Sequence, residues 1–119
     1  MEDYIEWFER AKKDIKAAKD SFNSGNYEWS CFQSQQSSEK ALKALQIKKT
    51  GKFQKIHDLV KLGKDVECPE NLLNKVKALT LAYVYSRYPD VPQLSNLRPK
   101  ALEFLKISEG VLKWVEENL

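Results

Sequence analysis

Apolar residues return every third or fourth position through most of this chain, and no stretch of useful length alternates them as a strand would. That period puts them on one side of a helix, so the chain can build its core only by laying helix against helix. Ile5, Phe8, Ala11, Ile15, Ala18 and Phe22 make the first such stripe and predict a helix over residues 3–23. Ser24-Gly25-Asn26 breaks it, Gly25 being suited to a left-handed C-terminal position. A second helix is expected over 27–49, with Phe32, Gln35, Glu39, Leu42 and Leu45 at helical spacing, and Thr50-Gly51-Lys52 closes it. The link between the two is short, so they should lie antiparallel as a hairpin.

The remaining residues give a short helix over 57–66, with Leu59, Val60 and Leu62 toward the core. A fourth helix starts at Cys68-Pro69-Glu70 and carries Leu72, Val76, Leu79 and Tyr83 on one face. The last is expected to begin at Ser95 or Asn96, either of which can cap it, and to reach Glu117. Its face is Leu97, Ala101, Phe104, Leu105, Ser108, Val111, Leu112 and Val115. The expected fold is therefore all-α: an antiparallel up-and-down bundle of four long helices plus one short one, in a single domain over residues 1–119.

A chain of 119 residues supports one core, and 31% charged residues fit a solvated helical surface. No apolar run approaches a membrane span and Met1-Glu2-Asp3 does not begin a secretory signal, so no membrane association and a cytoplasmic location are expected. Cys31 and Cys68 lack metal-site spacing and read as reduced thiols, Cys31 as a buried one. With His57 the only histidine, no metal and no cofactor are expected. Pairs such as Glu39 with Asp58 or Asp90 arise by chance on a surface this rich in carboxylates. The net charge of +3 permits a polyanionic partner without requiring one. The basic stretch Lys40, Lys43, Lys48, Lys49, Lys52 and Lys55 runs from a helix into a loop, and a solvated helix end accounts for most of it.

Two features stand out from this pattern, each open to a structural and to a functional reading. Gln33-Ser34-Gln35-Gln36-Ser37-Ser38-Glu39-Lys40 is polar all round in the middle of a helix that must pack. It is either a polar seam, within the monomer or between subunits, or a cleft lined by Gln36, Glu39, Lys40 and the Arg87 region. Glutamine, lysine and arginine together suit a nucleotide or RNA phosphate better than an apolar metabolite. The other feature is Arg87, the next step on the apolar face of the fourth helix, just before Pro89 stops it. A guanidinium there either snorkels to water or meets a carboxylate, a phosphate or a partner subunit. Asp90 is the nearby carboxylate that can take its charge.

Three segments in register resemble one family. Tyr27-Glu28-Trp29-Ser30-Cys31-Phe32-Gln33-Ser34-Gln35-Gln36-Ser37-Ser38-Glu39-Lys40-Ala41-Leu42-Lys43-Ala44 looks like the second-helix signature of HEPN domains, the nucleotide-binding domains shared by higher eukaryotes and prokaryotes. His57-Asp58-Leu59 resembles the family's His-Asp/Ser-Leu at the start of its short helix, and Arg87-Tyr88-Pro89 the Arg-Tyr-Pro that ends its fourth.

The resemblance implies an up-and-down bundle, a homodimer, and operation beside a small nucleotidyltransferase in a two-component, toxin–antitoxin-like system. Many HEPN proteins are metal-independent ribonucleases, in which an arginine is followed, after four to six intervening residues, by a histidine. Here the positions that should hold that histidine are Pro92, Gln93 and Leu94, none able to move a proton near neutral pH. No phosphate loop, GxSxG or HExxH motif stands in its place. The leading expectation is a non-catalytic dimeric module that binds a nucleotide or RNA phosphate through Gln36, Glu39, Lys40, His57, Asp58, Arg87, Tyr88 and Asp90, with Tyr88 stacking on a base. The alternatives are a ribonuclease with Arg87 and an atypical or partner-supplied proton-transfer group, and a structural partner with no ligand.

Overall fold

A computed structural model describes the backbone of residues 3–87 and 97–119, with the side chains of 3–80 and 97–119. Five helices and no strand occur among these: α1 (Tyr4–Asn23), α2 (Tyr27–Thr50), α3 (Leu59–Asp65), α4 (Glu70–Arg87) and α5 (Arg98–Asn118). Asp3 starts α1 by accepting from the Ile5 and Glu6 amides at 2.9 and 3.4 Å. At the other end Gly25 takes φ +80°, its N–H donates to Phe22 O, and the Asn26 N–H donates to Ser21 O. That paired closure satisfies the last carbonyls and reverses the chain, so α2 folds back on α1 as a hairpin. Gly51, at φ +84°, ends α2 in the same left-handed conformation.

α2 is the axis of the fold and packs against α1, α3, α4 and α5. This is why its sequence shows no clear apolar stripe: it has almost no solvent side between Ser34 and Ile47, and only Gln36 and Lys40 there stay partly exposed. The polar run is a seam inside the monomer. Ser30 Oγ donates to Ala18 O and Ser37 Oγ to Ala11 O, at 2.8 and 2.7 Å, joining α2 to the backbone of α1. On the α5 side, Ser38 Oγ donates to Ser108 Oγ at 2.9 Å, and Ser108 Oγ to Ser34 O at 2.8 Å. Small hydroxylated side chains bring the helices close, and those of Ser30, Ser37, Ser38 and Ser108 are hydrogen-bonded there, while the buried Ser34 Oγ has no hydrogen-bond partner among the described residues. Leu42, Leu45, Leu59, Leu62, Val76, Leu79, Phe104, Val111 and Val115 form the dry core beside this seam. Each such side chain contributes about 1.5–3 kcal/mol by leaving water.

The structure corrects several boundaries and faces. α3 begins at Leu59 rather than at His57, because Asp58 caps it from outside. α5 begins at Arg98, with Leu97 at the cap position and Pro99 in its first turn, instead of at Ser95 or Asn96. Ile5 is 57% exposed, because in the first turns of α1 it is Tyr4, Trp7 and Phe8 that pack on the core. Phe32 is only half-buried, edge-on to an exposed Trp29. Lys43, read as part of a solvated helix end, is 4% exposed. Tyr83 lies outside the described side chains, and Pro89, Pro92, Ser95 and Asn96 outside the described residues.

Candidate functional site

Glu39 is the hub of the polar network on α2. Gln35, Glu39 and Lys43 stand four residues apart, which places them one above another on a single face. Lys43 Nζ donates to Glu39 Oε2 at 3.0 Å and Gln35 Nε2 donates to Oε1 at 3.2 Å. Gln36 Nε2 extends the chain by donating to Gln35 Oε1 at 2.7 Å. Both Glu39 and Lys43 are buried, so each charge depends on the other and on these hydrogen bonds for compensation.

The loop after α2 brings the last member. It runs back along α2, tied at three levels. The Gln54 N–H donates to Gln46 Oε1 at 3.2 Å; the Phe53 ring sits 5.3 Å from Lys43 Nζ and packs tilted, at 53° and 4.5 Å, against Trp7 of α1. His57 Nδ1 then lies 3.0 Å from both oxygens of Glu39. A carboxylate can only accept, so Nδ1 carries the hydrogen in this contact. The imidazole itself is 67% exposed, while the carboxylate that holds it is 6% exposed. A buried anion thus orients an exposed imidazole, an arrangement able to present a hydrogen-bonding or proton-transfer group to a solute.

The other expected residues divide. Gln36 joins the hub through Gln35. Lys40 turns the other way and pairs with Asp14 of α1 at 2.6 Å. Asp58 caps α3, accepting from the Val60 and Lys61 amides at 3.1 Å each. Arg87 is the last described residue of α4 and its side chain lies outside the described ones, as do Tyr88 and Asp90 altogether. Sequence reasoning missed Lys43 and Gln35 as partners of Glu39; the signal was their spacing of four on either side of it. Among the described residues no three His, Cys, Asp or Glu side chains gather as a metal site. No described helix is long and apolar enough to cross a membrane. The thiol of Cys31, inside the bundle, is pushed up to about 12 by burial, which removes it as a nucleophile near neutral pH.

Comparison with known proteins fits this architecture. The chain is similar to TT1696 from Thermus thermophilus, at 33% identity and a TM-score of 0.89 over the full length of both chains. It also resembles an archaeal HEPN homologue, ST0689, at 29% identity and a TM-score of 0.81, covering 99% of this chain and 98% of the other. A HEPN domain protein from Thermotoga maritima is 26% identical with a TM-score of 0.75, covering 94% and 95% of the two chains. A search of curated proteins finds no significant match. The family model for the HEPN domain matches residues 4–118, and the chain belongs to the HEPN domain family.

Proposed function

We propose that this HEPN protein is a small cytoplasmic binding module that receives a phosphate of a nucleotide or RNA beside Glu39 and His57. The observation that carries the reading is the exposed imidazole of His57 held 3.0 Å from a buried carboxylate that Lys43 and Gln35 also hold. That hydrogen bond compensates the buried carboxylate while 67% of the imidazole stays exposed, so a polyanion meets an oriented ring there. Arg87 ends α4, and Tyr88 and Asp90 come after it in the sequence; α4 packs on α2, which carries Glu39, and on α3, which follows His57 in the chain. In this reading Arg87 meets phosphate, Tyr88 stacks on a base, and Gln36 and Glu39 orient the network. Lys40 and Asp58 contribute charge at the margin, because Asp14 and the α3 amides already engage them. The module acts as a homodimer with a nucleotidyltransferase partner, in a two-component arrangement of the toxin–antitoxin kind.

Isothermal titration with ATP, GTP and a short single-stranded RNA tests this, run beside Arg87→Ala and His57→Ala. Saturable binding that both variants lose supports the site. Binding that survives both removes it, and no heat from folded protein favours a scaffold without a ligand.

The oriented imidazole also favours one second reading, a metal-independent ribonuclease in which Arg87 stabilises the charge at phosphorus and His57 moves the proton. RNA cleavage in EDTA, abolished by His57→Ala and by Arg87→Ala, is its expected result. Intact RNA at the highest protein concentration sinks it.

A further inference from the structure

A groove of about 310 Å³ between α4 and α5 is built from residues that the Glu39 network does not use. Leu72, Ile107 and Gly110 form its floor, with Lys75, Lys106 and Glu103 around it. Leu72 and Ile107 pack on the core with one side and stay partly exposed on the other.

Gly110 is the informative residue. It lies in the interior of α5, where glycine is unfavourable compared with alanine. Its backbone needs no positive φ, and a Cβ added there would meet nothing within 4 Å. Among the described residues nothing therefore asks for glycine at this position. Its effect is to leave the helix backbone open at the bottom of the groove, the condition under which a second helix can approach closely.

The charges around the groove are unbalanced. Glu103 is already paired with Lys100 at 3.2 Å, whereas Lys75 and Lys106 take part in none of the ion pairs among the described residues. An apolar floor, a bare stretch of helix backbone and two uncompensated ammonium groups define the complement: a helix with an apolar ridge and acidic flanks. We propose that the α4–α5 groove is the docking site for an acidic amphipathic helix of a partner protein, seated with its ridge between Leu72 and Ile107 and its backbone against Gly110. A second copy of this chain complements the groove less well. Its exposed large apolar side chains among the described residues, Ile5 and Trp29, sit on different helices, α1 and α2, and form no single ridge.

The test uses the full chain and two labelled helical peptides. Both carry leucines at every third or fourth position, one flanked by glutamates and the other by lysines, and binding is read by fluorescence anisotropy. The glutamate peptide should bind saturably, and at least about tenfold more tightly than the lysine peptide. Gly110→Leu, which fills the floor, and Lys75→Glu with Lys106→Glu, which reverses the flanks, should each weaken it by about tenfold or more. Gly110→Ala serves as the folding control and should melt no lower than the parent. Equal affinity for both peptides, no binding of either, or indifference to Gly110→Leu overturns the proposal. Sedimentation covers the remaining occupant: a dimer that Gly110→Leu converts to monomer assigns the groove to a second copy and overturns the partner helix. Nucleotide titration of the same variants separates this site from the one at Glu39, since neither result bears on the other.

Discussion

Glu39 and Lys43 offer the sharpest test of the hub. Both side chains are buried, joined at 3.0 Å, and separated by one helical turn. Glu39→Met strands the Lys43 ammonium in the interior and removes the acceptor of Gln35, which is itself buried. Leaving one charge of a buried pair uncompensated costs about 3–5 kcal/mol. Lys43→Met should cost less, because Glu39 keeps two donors, Gln35 Nε2 and the His57 ring. The double variant carries no stranded charge and retains only the penalty of an unsatisfied Gln35, about 1–3 kcal/mol. It should therefore be more stable than Glu39→Met alone. Urea unfolding at neutral pH, with m-values compared to confirm unchanged cooperativity, gives the four corners of the cycle. A double variant whose loss equals the sum of the two single losses would show that the pair is not coupled, and the account of the hub would fail.

Three further outcomes follow from the fold. Ser108→Ala removes the acceptor of Ser38 and should cost about 1 kcal/mol; Ser108→Leu should cost clearly more, because it wedges α2 from α5 where Ser38 and Ser108 touch at 2.9 Å. Equal melting of the two would mean the seam is loose. Glycine substitutions should differ in sign: Gly25→Ala, at φ +80°, should destabilise by about 1–2 kcal/mol, whereas Gly110→Ala should stabilise by up to about 1 kcal/mol. Thermal or urea midpoints of the two variants on the same side of the parent would refute this. Burial raises the Cys31 thiol from 9.0 to about 12, so its contribution is complete below pH 9 and is lost as pH rises from there toward about 12. Urea midpoints over that range should fall more steeply in the parent than in Cys31→Ala, and parallel curves would refute it.

Much of the fold is local chemistry and could be read along the chain. Gly25 and Gly51 mark the ends of α1 and α2 because only a residue without a Cβ takes their positive φ cheaply. The stripe from Leu97 to Val115 predicted the buried face of α5, because one face of that helix meets the core and the other meets water. α2 escaped that logic. Periodicity reports the contrast between a wet and a dry side, and a helix covered by four neighbours has little contrast to report. Its serines could have faced a ligand, a second subunit or α1 and α5; only the positions of Ala11, Ala18 and Ser108 decided for the last.

The candidate site divides in the same way. Residue types and the family resemblance brought Glu39 and His57 into view, but their pairing spans eighteen residues and depends on a loop folding back along α2. Lys40 was the lysine the motif pointed to, yet Lys43 is the one that meets Glu39, since one turn along a helix keeps a side chain on the same face and one residue rotates it away. What the sequence by itself determined was where helices begin, end and turn a dry side inward, because those preferences are set within a few neighbouring residues. Which polar groups satisfy one another was decided only when the helices came together, because a buried charge takes its partner from whatever the packing brings within reach.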